Sequence, residues 1–538
     1  MPSSSDPMRL PKAVDAAVAE LGPKNIVKRI WAKDHTLWSS SPAEITNRLA
    51  WLTLPETMRS QAPEIQAFAN SVKNDFTYTV LLGMGGSSLG AEALVKIIGE
   101  DASFPLFHVL DSTLPSVIQE VEEHVDPSDT LFIVSSKSGS TIEVLSLYKR
   151  FHEKVAKAVG EAKAGERFIA ITDPDTPLER LAKDHNFRRI FLADPNVGGR
   201  YSLFSHFGLV PAALAGVDIA RLVAKAYAMQ QKCGAGVTND KNPGAYLGAF
   251  LAAMWREGCD KVTFAPSLTF HPFASWAEQL IAESLGKNKK ALVPVATEPL
   301  GSPEVYGKDR LFINIRQEDA EKSDVDKMLI EISARGPFVL TQTVDNVYGI
   351  AELFYSWEFA TAVAGAYLGM NPFDQPNVEQ AKRNTGEVLA AYKKSGELPA
   401  APGTPSLKEL LAQANPGDYF AILAYLPLTT EVDKSLAILR ERIMAKLKIA
   451  TTLGLGPRYL HSTGQMHKGG PNNGLFLQIV KDGRDDIPIP GEPYSFGTLA
   501  QAQALGDLQA LVSAGRRIAR LNITGSLEDA LKSLGLES

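Results

Sequence analysis

A serine-rich segment carries a strong chemical signal in this sequence. Five hydroxyl side chains and one lysine lie within residues 135–141, between a predicted strand and a predicted helix. The free amides at a helix start attract anions, and ligands of open parallel sheets bind outside the carboxyl ends of the strands. A solvated linker or a helix cap is the plainer interpretation of such a segment. Its position favours a phosphate site instead, formed by Ser136, Lys137, Ser138 and Thr141.

A glycine-rich turn precedes this segment, at residues 83–90. Glycines allow a backbone to approach a ligand closely, so Gly86 and Ser87 are candidates for substrate contacts. A tight turn without function and a dinucleotide site are the alternatives, the latter because Asp111 ends the next predicted strand at the expected distance. Ser88 stands where the third glycine of a dinucleotide fingerprint belongs, and neither segment has the spacing of a Walker loop. Both observations disfavour nucleotides.

Two polar residues share one face of a predicted helix that begins after Pro272 and ends at Gly286. Gln279 and Glu283 are four residues apart, which places them on adjacent turns. An exposed polar face is the usual explanation for such a pair. A carboxylate in a cleft, however, is a suitable general base. Arg200 offers a fixed positive charge for an anionic intermediate, unless it forms only a surface ion pair.

Together these motifs resemble the sugar isomerase (SIS) domain family, and its phosphoglucose isomerase branch in particular. The similar segments occur in order over residues 80–385, and they are Gly85–Ser87, Ser136–Thr141, Val197–Ser202, Gln279–Lys287 and Asn371–Gln375 followed by Lys382. The resemblance implies that Glu283 is the catalytic base, that Arg200 stabilises an enediolate and that Lys382 acts near the sugar ring oxygen. It also implies substrate contacts from Gly199, Gln279 and Gln375.

The sequence departs from that family in the placement of histidine. The family has a catalytic histidine between the glutamate and the final lysine, an interval that contains none of the nine histidines here. A downstream tract, residues 461–470, resembles instead the carboxyl-terminal part of transaldolase and phosphoglucose isomerase fusion proteins. We expect His467 of this glycine-rich tract to open the sugar ring, because histidine titrates near neutral pH. His461 and His271 are alternatives, and so is a purely structural role for the tract.

The resemblance implies an enzyme that interconverts glucose 6-phosphate and fructose 6-phosphate through a cis-enediol. One carboxylate can serve both carbons, because the proton that leaves C2 can return at C1. A non-catalytic sensor of sugar phosphates and a nicotinamide-dependent dehydrogenase are the alternatives, and activity on mannose 6-phosphate stays open. A sensor would need the phosphate site but no base. No His, Cys and carboxylate cluster has metal-ligand spacing along the chain, so neither a metal nor an organic cofactor is expected.

Short apolar runs alternate with amphipathic segments, which predicts parallel sheets covered by helices on both faces. We expect an α/β protein with two SIS-like, doubly wound domains, each a three-layer αβα sandwich. Their predicted strands are 78–83, 106–111, 130–135, 168–172, 189–193, 261–265, 291–296, 311–315 and 338–343. The predicted parts are a helical arm (1–74), a first SIS domain (75–240), a second SIS domain (241–395) and a small α+β unit (396–538). That unit has the order βαββαβ, typical of a split βαβ motif, and would deliver the loop of residues 455–473 to the other domains.

Composition limits the class of protein. A formal net charge of -6 from evenly mixed acidic and basic residues gives no basic surface, so nucleic-acid binding is disfavoured. Two cysteines cannot form a disulfide framework, and residues 1–10 lack the pattern of a secretory signal. No apolar stretch is long enough to span a membrane. We therefore expect a cytoplasmic protein with a sugar phosphate as its substrate and with a homodimer as one option for its assembly.

Overall fold

Three parallel β-sheets follow one another along the chain in the computed structural model, which describes residues 9–481 and 486–533. Most of the segment 1–10, which we expected to form no secretory signal, lies outside the described residues. The helices that precede the first sheet are α1 (Arg9–Leu21), α2 (Ile26–Trp31) and α3 (Leu54–Val72). None of the described helices is long and apolar enough to cross a membrane.

The first sheet is doubly wound. Its elements are β1 (Tyr78–Gly83), α4 (Leu89–Ile98), β2 (Leu106–Leu110), α5 (Pro115–His124), β3 (Thr130–Ser135), α6 (Ile142–Val159), α7 (Glu161–Ala164), β4 (Phe168–Thr172), α8 (Pro177–Asp184) and β5 (Arg189–Leu192). The strands lie in the order β2-β1-β3-β4-β5, and every pair is parallel. The winding direction changes between β1 and β3, which is where open sheets of this kind bind ligands.

The second sheet repeats this architecture with four strands. Two helices connect it to the first sheet, α9 (His206–Leu214) and α10 (Ile219–Lys232). The elements that follow are α11 (Pro243–Arg256), β6 (Lys261–Phe264), α12 (His271–Leu285), β7 (Gly286–Lys287), β8 (Lys290–Ala291), β9 (Val293–Val295), β10 (Arg310–Gln317), α13 (Asp324–Ser333), β11 (Phe338–Val344), α14 (Ile350–Leu368) and α15 (Val378–Ser395). The order is β11-β10-β6-β9, all parallel, and β7 and β8 form a separate small hairpin. The predicted strands of both sheets are thus present, and the α/β class is confirmed.

The third sheet differs from the prediction for the carboxyl-terminal unit. Its elements are α16 (Leu407–Leu411), β12 (Tyr419–Tyr425), α17 (Thr430–Leu447), β13 (Ala450–Leu455), α18 (Gly464–Gly469), β14 (Gly474–Lys481), α19 (Phe496–Ser513), β15 (Arg517–Ile523) and α20 (Leu527–Ser533). The order β13-β12-β14-β15 is parallel throughout, so the unit is a third α/β layer and not an α+β unit. The physical reason is α18, a short helix that turns the expected loop between β13 and β14 into a crossover.

The amino-terminal helices are packed against the second sheet's long helix, and they do not form a detached arm. Trp38 Nε1 donates a hydrogen bond to the carbonyl oxygen of Ala362 at 2.8 Å. Tyr355 Oη donates to the carbonyl of Leu52 at 2.8 Å. α14 is therefore covered on all sides, which fits its almost uniformly apolar sequence. The predicted boundaries of the arm and of the other domains stay predictions.

Candidate active site

The first two loops of the site lie side by side at the carboxyl edge of the first sheet. Gly83 and Ser135, the last residues of β1 and β3, are paired in register, so the turn after β1 and the loop after β3 start together. Ser135 Oγ donates a hydrogen bond to the carbonyl oxygen of Ser87 at 3.0 Å. The glycine-rich turn and the serine-rich loop therefore line one cleft at the switch point of the sheet.

Two glycines of the turn let other parts of the chain approach it. Gly85 has a φ of 55°, and a Cβ at that position would lie 2.7 Å from the carbonyl oxygen of His461. A Cβ on Gly86 would overlap the carbonyl oxygen of Gly199. Only glycine fits at both positions, because the segments that contain Gly199 and His461 press directly on the turn.

The serine-rich loop presents hydroxyls and free amides at the start of α6. Ser136 Oγ and Thr141 Oγ1 lie 2.9 Å apart, and Ser138 is exposed. The Thr141 side chain does not cap α6, so amides of the first turn remain available to an anion. Lys137 of the same loop is ion-paired with Asp173, which fixes the position of its ammonium group.

Glu283 and Arg200 form a buried ion pair where the first two sheets meet. The distance from Arg200 Nη1 to Glu283 Oε2 is 3.1 Å, and the side chains are 3% and 6% exposed. Arg200 Nε also donates to Ser284 Oγ at 2.8 Å, on the same helix. Burial raises the pKa of Glu283 above its ordinary value, and the charge of Arg200 limits the rise. A carboxylate with a raised pKa is suited to general base catalysis near neutral pH.

Arg200 also holds the loop between α14 and α15. Its Nη2 donates to the carbonyl oxygens of Pro372 and Asp374 at 2.7 and 2.9 Å, and its Nη1 donates to Gln375 Oε1 at 3.3 Å. Lys287 Nζ donates to Asp374 Oδ1 at 2.6 Å from the other side. Burial lowers the pKa of Lys287 to about 7, and the nearby Arg200 charge acts in the same direction. The hydrogen bonds of Arg200 and Lys287 thus fix the loop that carries Gln375 against the base.

His461 is the histidine that the structure brings to this cleft. Gln279 Nε2 donates a hydrogen bond to the carbonyl oxygen of His461 at 2.7 Å. His461 Nε2 lies 2.8 Å from Glu143 Oε1. Burial works to lower the pKa of His461, but the charge and the hydrogen bond of Glu143 outweigh it, and the pKa is raised overall. The charge of Glu283 acts in the same direction, so the imidazole faces carboxylates from both neighbouring sheets.

His467 lies in a different environment from the one predicted. It is 2% exposed, its Nδ1 lies 3.1 Å from Tyr419 Oη, and its ring centroid is 5.1 Å from that of Phe476. Burial lowers the pKa of His467 well below the ordinary value, so the ring is neutral. Within residues 9–481 and 486–533, no hydrogen bond or ion pair joins His467 to Glu283 or Arg200. The structure therefore does not support the assignment of ring opening to His467.

The glycine-rich tract is a packing element, contrary to the prediction that its glycines give it reach. Gln465 Nε2 donates to the carbonyl oxygen of Gly286 at 3.1 Å and to Asn377 Oδ1 at 2.7 Å. A Cβ on Gly469 would overlap the side chain of Asn377. Glycine is needed because α18 is wedged between the second and third sheets, so the tract is held rigidly and fixes the position of His461.

The remaining candidates lie at the margin of the cleft or outside it. Lys382 is exposed on α15, 3.1 Å from Glu379 Oε1, and its charge works to lower the pKa of His461. It is therefore close enough to act on the cleft. His271 begins α12 and is exposed, about 18 Å from Glu283 at a rise of 1.5 Å per helical residue. His271 is thus too distant to share the site.

Glu143 is a functional candidate that the sequence did not single out. It is 3% exposed, and it accepts hydrogen bonds from His461 and, at 2.7 Å, from Gln503 Nε2. Its signal was present, since it is the one acidic residue in the first turn of α6, directly after the serine-rich motif. From the sequence alone, however, an acidic residue at that position is interpreted as one that stabilises the helix dipole, because the packing of the third sheet is not known.

The acidic residue that a dinucleotide site would use is already paired. Asp111 Oδ2 lies 3.2 Å from Arg458 Nε and 3.4 Å from Ser88 Oγ. A carboxylate that binds ribose must be free to accept hydrogen bonds from the sugar. The pairing with Arg458, a residue of the third unit, speaks against a nicotinamide cofactor at this turn.

Comparisons with known proteins point to one family. The family model for phosphoglucose isomerase matches residues 53–307. A glucose-6-phosphate isomerase from Lactococcus lactis subsp. cremoris (strain SK11) is 27% identical over 419 residues, which cover 68% of this chain and 90% of the relative. One from Streptococcus gordonii (strain Challis) is 27% identical over 467 residues, which cover 75% of this chain and 97% of the relative.

Solved structures show the same fold. A crystal structure of a glucose-6-phosphate isomerase from Chlamydia trachomatis gives a TM-score of 0.60 at 17% identity and covers 71% of this chain and 86% of that chain. A hypothetical protein from Thermus thermophilus gives a TM-score of 0.60 at 24% identity and covers 72% and 99%. With the sequence matches, these findings show what the chain is similar to, namely the phosphoglucose isomerase family model over residues 53–307 and glucose-6-phosphate isomerases over most of their length.

Proposed function

We propose that the protein interconverts glucose 6-phosphate and fructose 6-phosphate, with Glu283 as the base. The observation that carries the proposal is the buried pair of Glu283 and Arg200, which lies beside the pair of His461 and Glu143 in one cleft. A sugar phosphate isomerase needs an anion site, a group that opens the ring and a base. Each of these chemical functions has a suitable candidate at this edge of the first sheet.

The phosphate group of the sugar binds at the serine-rich loop. Ser136, Ser138 and Thr141 supply hydroxyls, and the uncapped first turn of α6 supplies amides. Lys137 adds a positive charge from its fixed position against Asp173. The backbone of Gly86, Ser87 and Gly199 then borders the sugar, since the glycine-rich turn separates the loop from Arg200.

Ring opening is assigned to His461, in place of His467. The carboxylate of Glu143 favours the cationic imidazole, which can donate a proton to the ring oxygen. Lys382 lies on the same side and remains a proposed contact of that oxygen. The open-chain aldehyde or ketone is then free to react at C1 and C2.

The isomerisation itself moves one proton between neighbouring carbons. Glu283 takes the proton from C2 of the aldose, and the same carboxyl group returns it to C1 to give the ketose. Negative charge develops on the oxygens of the cis-enediol intermediate, and Arg200 stabilises it with a charge that never titrates. Gln375 holds the arginine in place, and Gln279, on the helix of the base, holds the backbone of His461.

A coupled assay tests the proposal directly. Purified protein should convert fructose 6-phosphate to glucose 6-phosphate, and Glu283→Gln should reduce kcat by about 10²- to 10⁴-fold while sugar phosphate binding is retained. The matched control is Glu278→Gln on the same helix, because Glu278 lines a separate cavity. Binding without conversion by the wild-type chain would favour the sensor. Full turnover by Glu283→Gln would show that another group is the base.

Three finer points stay proposals of their own. Activity on mannose 6-phosphate is tested by replacing the substrate in the same assay. A homodimer is tested by sedimentation of the purified protein. A cytoplasmic location is likewise a prediction, which fractionation of the source cells would check.

A further inference from the structure

Three potential metal ligands meet on the outer side of the first sheet, away from the cleft. His152 lies on α6, Glu161 begins α7, and His185 directly follows α8. Their ligand atoms all lie within 4.8 Å of one another. His152 Nε2 is 3.7 Å from Glu161 Oε1, and the two imidazole rings meet edge to face at 5.0 Å.

The same three residues line a cavity that contains an unpartnered hydroxyl. The cavity measures about 620 Å³, and Tyr148 forms part of its wall. Tyr148 is 3% exposed, its ring packs against both histidines, and its hydroxyl is buried with no hydrogen-bond partner among the described residues. A buried hydroxyl without a partner costs free energy, so it calls for a polar occupant of the cavity.

We propose that His152, Glu161 and His185 bind a zinc ion, with a water in the fourth position that hydrogen-bonds to Tyr148. Two imidazoles and one carboxylate are a ligand set that Zn²⁺ favours, with bonds of about 2.0–2.2 Å. Glu161 is 73% exposed, so its side chain has the freedom to close the remaining distance. The ion would join the interior of α6, the start of α7 and the residue that follows α8.

The charges around the cavity are compatible with a cation. Lys149 is engaged by Glu492 at 2.6 Å, and Lys157 by Glu153 at 3.3 Å, so both nearby ammonium groups already have carboxylate partners. Neutral imidazoles and one carboxylate leave a charge of about +1 on a zinc complex. That charge is tolerable at an open surface, where water screens it.

Metal titration of the whole chain tests the site. Protein stripped with chelator is titrated with Zn²⁺, and with Co²⁺ for the visible absorption of a four-coordinate ion. We expect one strongly bound equivalent, and weakening by at least about 100-fold in His185→Ala and in Glu161→Gln. Both residues are exposed, so their replacement leaves the fold intact. Tyr148→Phe, which removes only the hydroxyl, should weaken binding about 10-fold.

The control is Glu166→Gln, an exposed glutamate five residues after Glu161 that lies outside the ligand cluster. It should bind zinc as the wild type does. Stoichiometric binding that disappears in the ligand variants and persists in the control supports the site. Absence of binding at micromolar zinc, or equal binding by the double variant His185→Ala and Glu161→Gln, would overturn it.

Discussion

The surroundings of His461 and His467 differ, although the two residues are six positions apart in one tract. His461 lies between carboxylates of two sheets, and its pKa is raised. His467 lies against Tyr419 and Phe476, and its pKa is lowered well below the ordinary value. One ring is prepared to carry a proton, and the other serves as an apolar core residue. A motif thus locates a histidine, while its neighbours decide its chemistry.

His461→Asn should separate the two regions most strongly. Loss of the proton donor should reduce conversion of the cyclic sugar by about 10²- to 10⁴-fold. Exchange of the C2 proton in open-chain substrate should fall much less, because Glu283 and Arg200 remain in place. The two rates are followed by the coupled assay and by deuterium exchange. Equal losses in both would mean that His461 does not act on the ring.

A second experiment tests whether the serine-rich loop, in the same cleft as His461, contributes to substrate binding or to the chemical step. The double replacement of Ser138 and Thr141 by Ala removes two hydroxyls from the anion site. Each hydrogen bond to a charged group contributes about 1.5–3 kcal/mol, so KM should rise by tenfold or more. Turnover at saturation should change little. A fall in kcat at constant KM would instead place this loop in the chemical step.

The third test concerns the pH profile, and its target is Glu143. Glu143→Gln removes the charge that raises the pKa of His461, so the alkaline limb of kcat/KM should move to lower pH. Burial raises the pKa of Glu283, so the acid limb should lie above the ordinary range for glutamate and stay there in the variant. The measurement is kcat/KM across the pH range. An unmoved alkaline limb would separate Glu143 from the titrating group.

The same pair predicts a pH dependence of stability. The fold raises the pKa of His461, so its protonation stabilises the native state below the ordinary histidine pKa. This contribution is lost as the pH rises through the raised value. The free energy of unfolding of the wild type should therefore fall over that interval by more than that of Glu143→Gln.

His467→Phe should change activity least. The replacement keeps an aromatic ring in an apolar setting, so kcat should stay within a few-fold of the wild type. Tyr419 Oη loses its partner, which should reduce the free energy of unfolding by about 1–3 kcal/mol. Denaturant melts measure that loss. A collapse of turnover in a folded His467→Phe protein would erase the contrast between the two histidines.

Local patterns predicted the strands well, since parallel strands are buried on both faces and read as short apolar runs. β1, β3 and β4 begin and end at the predicted residues. The same patterns could not decide the pairing of the third sheet. The tract that contains α18 has many glycines and little periodicity, so its short helix cannot be distinguished from a loop in the sequence. If the tract is taken for a loop, the sequence does not indicate that β13 and β14 run in the same direction, and it predicts a split βαβ motif.

The sequence predicted those parts of the site in which the residues belong to one helix or loop. It did not predict the contacts between segments that are distant in the chain. Gln279 and Glu283 share a helix face because of their spacing, which the sequence displays. The contact of His461 with Glu143 joins residues 318 positions apart, and it depends on how the third sheet packs. The cluster of His152, Glu161 and His185 was missed for the same reason, because a search for ligand spacing along the chain does not detect residues that only the packing of α6, α7 and α8 brings together.

The position of His461 beside the third sheet bears on the order of events during synthesis. A chain that has left the ribosome only as far as β11 already contains the serine-rich loop, Arg200 and Glu283, but no histidine for ring opening. β14, which follows the tract, lies between β12 and β15, so its sheet is incomplete until residue 523 has emerged. During translation the nascent protein would thus hold sugar phosphate before it could convert the cyclic form. Under the proposed role of His461, catalytic competence would be acquired only after β15 has formed.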